Sequence, residues 1–211
     1  MRTLIFGSVL LVSACILPSV AAGQQRSFAK TSQTVSTDVA VTFTLERADV
    51  VPTQCCFWLK GGGADAAFTF WKGLGLAATV NGDQVTNYAS GYDVNKIAFL
   101  AGPRYTHSLW AASTRDGGYK NRIQVYGDGL IGEVHAFDGT FPSGTTFKSS
   151  AGSVALQTGG GVNMPLSRRF GIRLIEADYV RTLLPNGSAN VQNDMRFGFG
   201  VTYHLGPGPR P

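Results

Sequence analysis

Glu176 and Asp178 lie two residues apart in "RLIEADYV", and Asp194 and Arg196 lie two apart in "NDMRFGFG". On extended chain such pairs share one face, so carboxylates and a guanidinium on neighbouring strands are expected to form ion pairs. The expected network joins Glu176 and Asp178 to Arg196, with Arg104 of "AGPRYT" as a further cation. Glu46, Asp128 and His204 fall on the same alternate positions of their own stretches. An isolated buried charge is costly, so charges gathered in one interior should be mutually paired.

Other candidate chemistry is thinner. Cys55 and Cys56 are adjacent and close only a strained ring, so they form a vicinal bridge, pair between molecules or stay reduced. An oxidised loop staple in an exported protein is the expectation. A metal site is not expected, because the cysteine pair lacks further local ligands and His107, His135 and His204 lie far apart. No cofactor is expected either.

The N-terminus, "MRTLIFGSVLLVSACILPSVAAGQQR", has a basic start at Arg2, an apolar stretch from Leu4 to Leu17, a break at Pro18 and small residues to Ala22. This is a signal peptide over 1–22, with cleavage expected near Ala21 or Ala22. An uncleaved anchor and a lipoprotein, from "VSAC" ending at Cys15, are the alternatives. The 211 residues include 27 Gly, with 11% aromatic and only 15% charged residues, against about 25% charged in ordinary soluble domains. Such a composition points to strands and turns. The net charge of +5 is scattered, without a basic block, so nucleic acid is not an expected partner.

Period-two alternation then recurs eight times, over 35–46, 62–70, 74–81, 96–106, 122–134, 153–163, 172–181 and 193–205. One face carries Phe43, Phe68, Phe70, Phe99, Phe197, Phe199 and Tyr203, and the other is mostly Gly, Ala, Ser and Thr with the charges. Small side chains suit the crowded inside of an eight-stranded cylinder better than a wetted surface. The pattern therefore reads inside out, with rings toward lipid and small or ionic groups toward a plugged lumen. Short connections at 71–73, 109–119 and 167–170 alternate with longer ones at 48–61, 82–95, 138–149 and 184–192, as in a meander with short turns at one end. Hydrocarbon offers no hydrogen-bond partners, so the first strand should pair with the last. Pro103 removes a ladder donor and is expected near the end of the lipid zone or at a bulge. The expected fold is all-β, an eight-stranded antiparallel up-and-down transmembrane β-barrel over 35–205, after an N-terminal segment at 23–34 and before a Gly/Pro tail at 206–211.

The stretches "FWLKGGGADAAFTFWKGLGLA", "KIAFLAGPRYT" and "GIRLIEADYVRTLLPNGSANVQNDMRFGFGVTYHL" resemble bacterial outer-membrane β-barrel domain proteins, the small eight-stranded class related in architecture to the transmembrane part of outer membrane protein A. The resemblance implies the cell outer membrane as location, outer-membrane lipid and the barrel assembly machinery as partners, and a structural or surface-interaction role without enzymatic activity. The chain departs from the class in ending on Leu205 and "GPGPRP", where such barrels end on an aromatic residue. Three other functions compete with this one. A barrel enzyme acting on outer-membrane lipid would need a nucleophile beside a base. His135 is the only histidine expected at the outer end, and no motif links it to Ser149 or Ser150. A small passive pore would need an open lumen, and a soluble lipocalin-type barrel would need its apolar face inside. Phe57 and Trp58, beside the cysteines, are expected in the outer aromatic girdle, with an exposed contact patch as the alternative.

Overall fold

The computed structural model describes residues 35–48, 57–88, 92–112, 121–143, 145–185 and 190–206. The signal segment and both cysteines, Cys55 and Cys56, lie outside the described residues. Every regular element among them is a strand: β1 (Ser36–Ala48), β2 (Phe57–Trp71), β3 (Leu74–Tyr88), β4 (Tyr92–Ala112), β5 (Asn121–Ser143), β6 (Thr146–Pro165), β7 (Phe170–Thr182) and β8 (Gln192–Leu205). Each pairs antiparallel with its sequence neighbour, and β1 pairs with β8 from Thr37↔Leu205 to Arg47↔Met195, so the barrel is closed. No edge is left at the height of the β1–β8 seam, as hydrocarbon requires.

Strand lengths depart from expectation. The stretches expected as long connections at 82–95 and 138–149 are largely ladder, with β3 running to Tyr88, β4 starting at Tyr92, β5 reaching Ser143 and β6 beginning at Thr146, and β2 starts at Phe57, inside the one at 48–61. A ladder continues wherever backbone groups can pair, whereas alternation is readable only where the two faces meet different solvents. In these extensions Gly, Asn and Asp interrupt the pattern, although the inward Phe57, Leu59 and Phe141 remain buried.

Local chemistry fixes the ends. Lys72 and Gly73 both have positive φ (45° and 91°) and connect Trp71 to its partner Leu74, the two-residue hairpin geometry that matches strand twist. Pro103 falls within the β4–β5 ladder opposite Gly129. The register is the same on both sides of it, so it does not mark a bulge. At Gly102 a Cβ would run into the Gly129 carbonyl, so β4 and β5 approach there more closely than a side chain allows.

The faces divide as the sequence implies. Phe43, Phe68, Phe70, Phe99, Val201 and Phe199 are exposed on the outer wall, with Phe99 59% exposed. Thr42, Thr44, Glu46, Asp65, Arg104, Asp178 and Arg196 are buried in the interior. A lipocalin-type arrangement would have these faces reversed. The interior is not only small and charged, however. Leu59, Leu100, Leu130, Val134 and Leu184 point in and join Ala48, Phe57, Ala136 and Phe141 in one apolar cluster. Phe57 and Trp58 accordingly part company: Phe57 is buried in that cluster, and only Trp58 remains on the outer wall.

Candidate functional site

The interior charges form two linked groups, and every strand contributes. In the first, on the loop-rich side, Arg196 of β8 bonds Asp178 of β7 at 2.9 Å and Gln157 of β6 at 2.7 Å, with Glu176 at 3.9 Å. Lys96 of β4 pairs with Glu46 of β1 and lies 3.5 Å from Asp194 of β8. Asp83 of β3 accepts from Thr44 Oγ1 at 2.7 Å. Beyond these, at the loop end, Thr182 and Gln192 close the β7–β8 seam through a side-chain hydrogen bond of 2.8 Å, and Gln192 donates to the Leu184 carbonyl at 2.6 Å.

The second group lies towards the turn end. Arg104 of β4 reaches Asp65 of β2 at 2.6 Å and Asp128 of β5 at 2.7 Å. Arg173 of β7 takes the other Asp65 oxygen at 2.6 Å, pairs with Glu176 and donates to Asn163 at 3.1 Å. Asp65 is thereby shared by two guanidiniums, each a charge-assisted contact. The Tyr126 ring lies between them, with the Arg104 and Arg173 guanidinium carbons 4.3 and 4.8 Å from its centroid, while its hydroxyl donates to Glu176 at 3.0 Å. This is cation–π contact on both cations, strengthened by exclusion of water. Glu176 touches both groups and links them.

Of the sequence-predicted residues, Glu176, Asp178, Asp194, Arg196 and Arg104 all face the interior, but the pairing differs in part. Arg104 serves Asp65 and Asp128 rather than Glu176 or Asp178, and the nearer cation to Glu176 is Arg173. Arg173 escapes a period-two count because β7 carries a bulge: Arg173 faces Gly200 and Glu176 faces Gly198, so one extra residue stands in β7. Leu174 and Ile175 both turn outward at the bulge, and Arg173 and Glu176, three apart, both turn in. Asp83 sits past the alternation of 74–81, while Lys96 opens that of 96–106 on the inward parity of Ala98 and Arg104 but is not among the expected charges. His204, at the turn-end mouth, has its Nδ1 2.6 Å from Asp38 Oδ1 and is not part of either group.

Among the described residues the lumen is filled at mid-height by these buried side chains. Beneath Arg104 and Arg173, the polar cavity bounded by Asp38, Thr106, Gln124 and Thr202 has a volume of about 30 Å³, room for about one water. Among the described residues no group of His, Cys, Asp and Glu is arranged to hold a metal ion. His135 stacks on Phe137 at 6.2 Å between ring centroids, and no hydrogen bond joins it to Ser149 or Ser150.

No family model and no curated protein sequence matches the chain. Solved structures do. Ail, the attachment invasion locus protein of Yersinia pestis, aligns with a TM-score of 0.54 at 15% identity, over 81% of this chain and 99% of that one. Ail in complex with the heparin analogue sucrose octasulfate aligns at 0.52 and 16% over 81% and 99%. Neisserial surface protein A aligns at 0.54 and 14%, over 80% of this chain and 96% of that one. At these identities the likeness is one of fold. With its closed antiparallel meander and outward aromatic wall, this chain has the fold of the small eight-stranded outer-membrane β-barrels.

Proposed function

We propose that the chain is an integral barrel of the cell outer membrane with a structural or surface-interaction role, its lumen closed by the ionic network around Glu176, Asp178, Asp194, Arg196 and Arg104. The observation that carries this reading is the inverted pair of faces: rings on the wall, charges in the middle. Outer-membrane lipid is its first partner, and insertion requires the barrel assembly machinery. In this class the short turns face the periplasm, so the β1–β2, β3–β4, β5–β6 and β7–β8 connections stand outside the cell. The complex of Ail with a heparin analogue supports the interaction half of this reading. A non-enzymatic role fits the separation of His135 from Ser149 and Ser150.

The test is cell fractionation followed by gel mobility. The chain should pellet with outer membranes, need detergent for extraction, and run at different positions before and after boiling. Recovery in the soluble periplasm without detergent would overturn the reading. In planar bilayers the purified barrel should give no steady conductance; a stable open level would replace the plug with a pore.

A further inference from the structure

The charges that face outward at the loop end are sorted by side. Strands β7, β8, β1 and β2 adjoin one another in the barrel. Of their carboxylates, Glu46, Asp65, Glu176, Asp178 and Asp194 are buried in the lumen, and Asp38 pairs with His204 at the turn-end mouth. Three cations of the same strands, Arg47, Lys60 and Arg181, are exposed on the outer wall, each next to a buried neighbour, Glu46, Leu59 and Val180. The sequences of the connections at 49–56 and 186–189 add one carboxylate, Asp49, so cations outnumber carboxylates on this side even with it counted. The opposite side has the reverse balance, with Asp93, Glu133 and Asp138 exposed on β4 and β5 against Lys148 of β6. Arg47 stands in one ladder row with Trp58, Met195 and Tyr179, all exposed on the wall. Trp and Tyr in such a row mark the level where acyl chains give way to head groups. Arg181 lies in the next outward row beside Asn193, and Lys60 lies one outward position below Trp58 on β2. By strand spacing, Lys60 is about 8 Å and Arg181 about 12 Å from Arg47 along the sheet. The Tyr179 hydroxyl donates to Asn193 Oδ1 at 2.6 Å, which leaves the Asn193 amide nitrogen as a further donor between the two arginines.

We propose that this side of the barrel binds a lipid head group carrying more than one phosphate, held by Arg47, Arg181 and Lys60 in the outer leaflet. The proposal rests on the outer-membrane reading, which sets the loop end at the outer face of the bilayer. A lysine or arginine on the lipid-facing wall is costly at mid-depth and nearly free of cost at the interface, where phosphates lie. Guanidiniums match phosphate oxygens with paired donors, and lysine adds a point charge. These cations stand among exposed apolar side chains, Trp58, Met195 and Leu183, so the group that meets them carries an apolar part against the wall and its anions at the top. A membrane lipid has that form, and a soluble polyanion does not. Arg181 and Lys60 are about 20 Å apart along the sheet, too far to share one phosphate, so the head group that fits presents two.

The probe is diphosphoryl lipid A, a minor component of phosphatidylcholine nanodiscs that hold the folded chain, and native mass spectrometry counts the lipids that stay on the ejected barrel. Lipid A should be retained in preference to phosphatidylcholine, and its monophosphoryl form should be retained less. Arg47→Gln, Lys60→Gln and Arg181→Gln made together should lower the retained fraction of lipid A by about tenfold, while Lys148→Gln on the opposite side should leave it unchanged. The comparison of lipids on the unaltered chain needs no variant to fold. Equal retention of phosphatidylglycerol, or an equal loss with Lys148→Gln, would overturn the site in favour of general attraction to anions. Loss of heparin binding in the triple variant with lipid A still retained would overturn it in favour of a soluble polyanion. No preference for lipid A in a barrel that shows heat-dependent gel mobility would overturn the proposal alone, whereas failure of the chain to insert into nanodiscs would remove the membrane reading beneath it.

Discussion

The interior holds two regions that exclude water in different ways. At mid-height, Arg196, Lys96, Arg104 and Arg173 are locked to carboxylates from five strands. Towards the loop end, Leu59, Leu184, Phe57, Val134 and Phe141 pack without charge. Buried ions gain stability only through their partners, so the first region is cooperative and sensitive to the loss of any one member. Apolar packing is graded, and each side chain contributes in proportion to what it buries. The difference teaches that the plug has a brittle part and a tolerant part. Apart from Arg173–Glu176, both on β7, the brittle part is built from pairs between different strands.

The largest effect should come from breaking the ionic part. Arg196→Met leaves Asp178 and Gln157 without their donor in a dry interior and should cost about 3–5 kcal/mol in urea unfolding from lipid vesicles. A cost as small as that of a surface substitution would show that the mid-lumen is wet. Leu59→Ala, in the apolar part, should cost about 3 kcal/mol, leave the ion pairs intact and give a cavity rather than a collapse. The comparison sharpens with a double replacement. Glu46→Leu and Lys96→Met made together should be less destabilising than the two single changes added, with a coupling of about 1–3 kcal/mol, because the pair is removed as a unit. Simple additivity in the same assay would mean that Lys96 and Glu46 do not depend on one another. The smallest effect belongs to the outer wall: Phe199→Leu, facing acyl chains, should change stability by less than about 1 kcal/mol.

Much of this organisation was legible in the residues. Val39, Val41 and Phe43 against Thr42, Thr44 and Glu46 already assign both faces of β1, and the same holds for Phe197, Phe199 and Val201 against Arg196 and Thr202. What stayed hidden has three physical sources. The β7 bulge reverses parity, so Arg173 counts as outward until Leu174 and Ile175 are seen side by side on the wall. The extra strand length beyond 74–81 hides Asp83, which follows the turn-like Gly82, whereas Lys96 opens the alternation of 96–106 on its inward parity and only its partners stay hidden. The apolar plug escapes because Leu59 and Leu184 flank stretches that look like loops, and an inward leucine there cannot be told from a girdle residue without the fold. Partner choice was the least legible: Asp65 is claimed by Arg104 and Arg173 from strands distant in sequence, and only closure of the barrel brings them together.

The assignment of faces is most directly tested on β8, where the two solvents alternate residue by residue. Spin labels placed one at a time at Met195, Phe197, Phe199, Val201 and Thr202 of the chain in lipid bilayers would be relaxed by dissolved oxygen and by a water-soluble nickel chelate. High oxygen and low nickel collision rates at Phe197, Phe199 and Val201, with both rates low at Thr202, are the predicted result. Nickel access at Phe199 and Val201 equal to that of an exposed loop would contradict it.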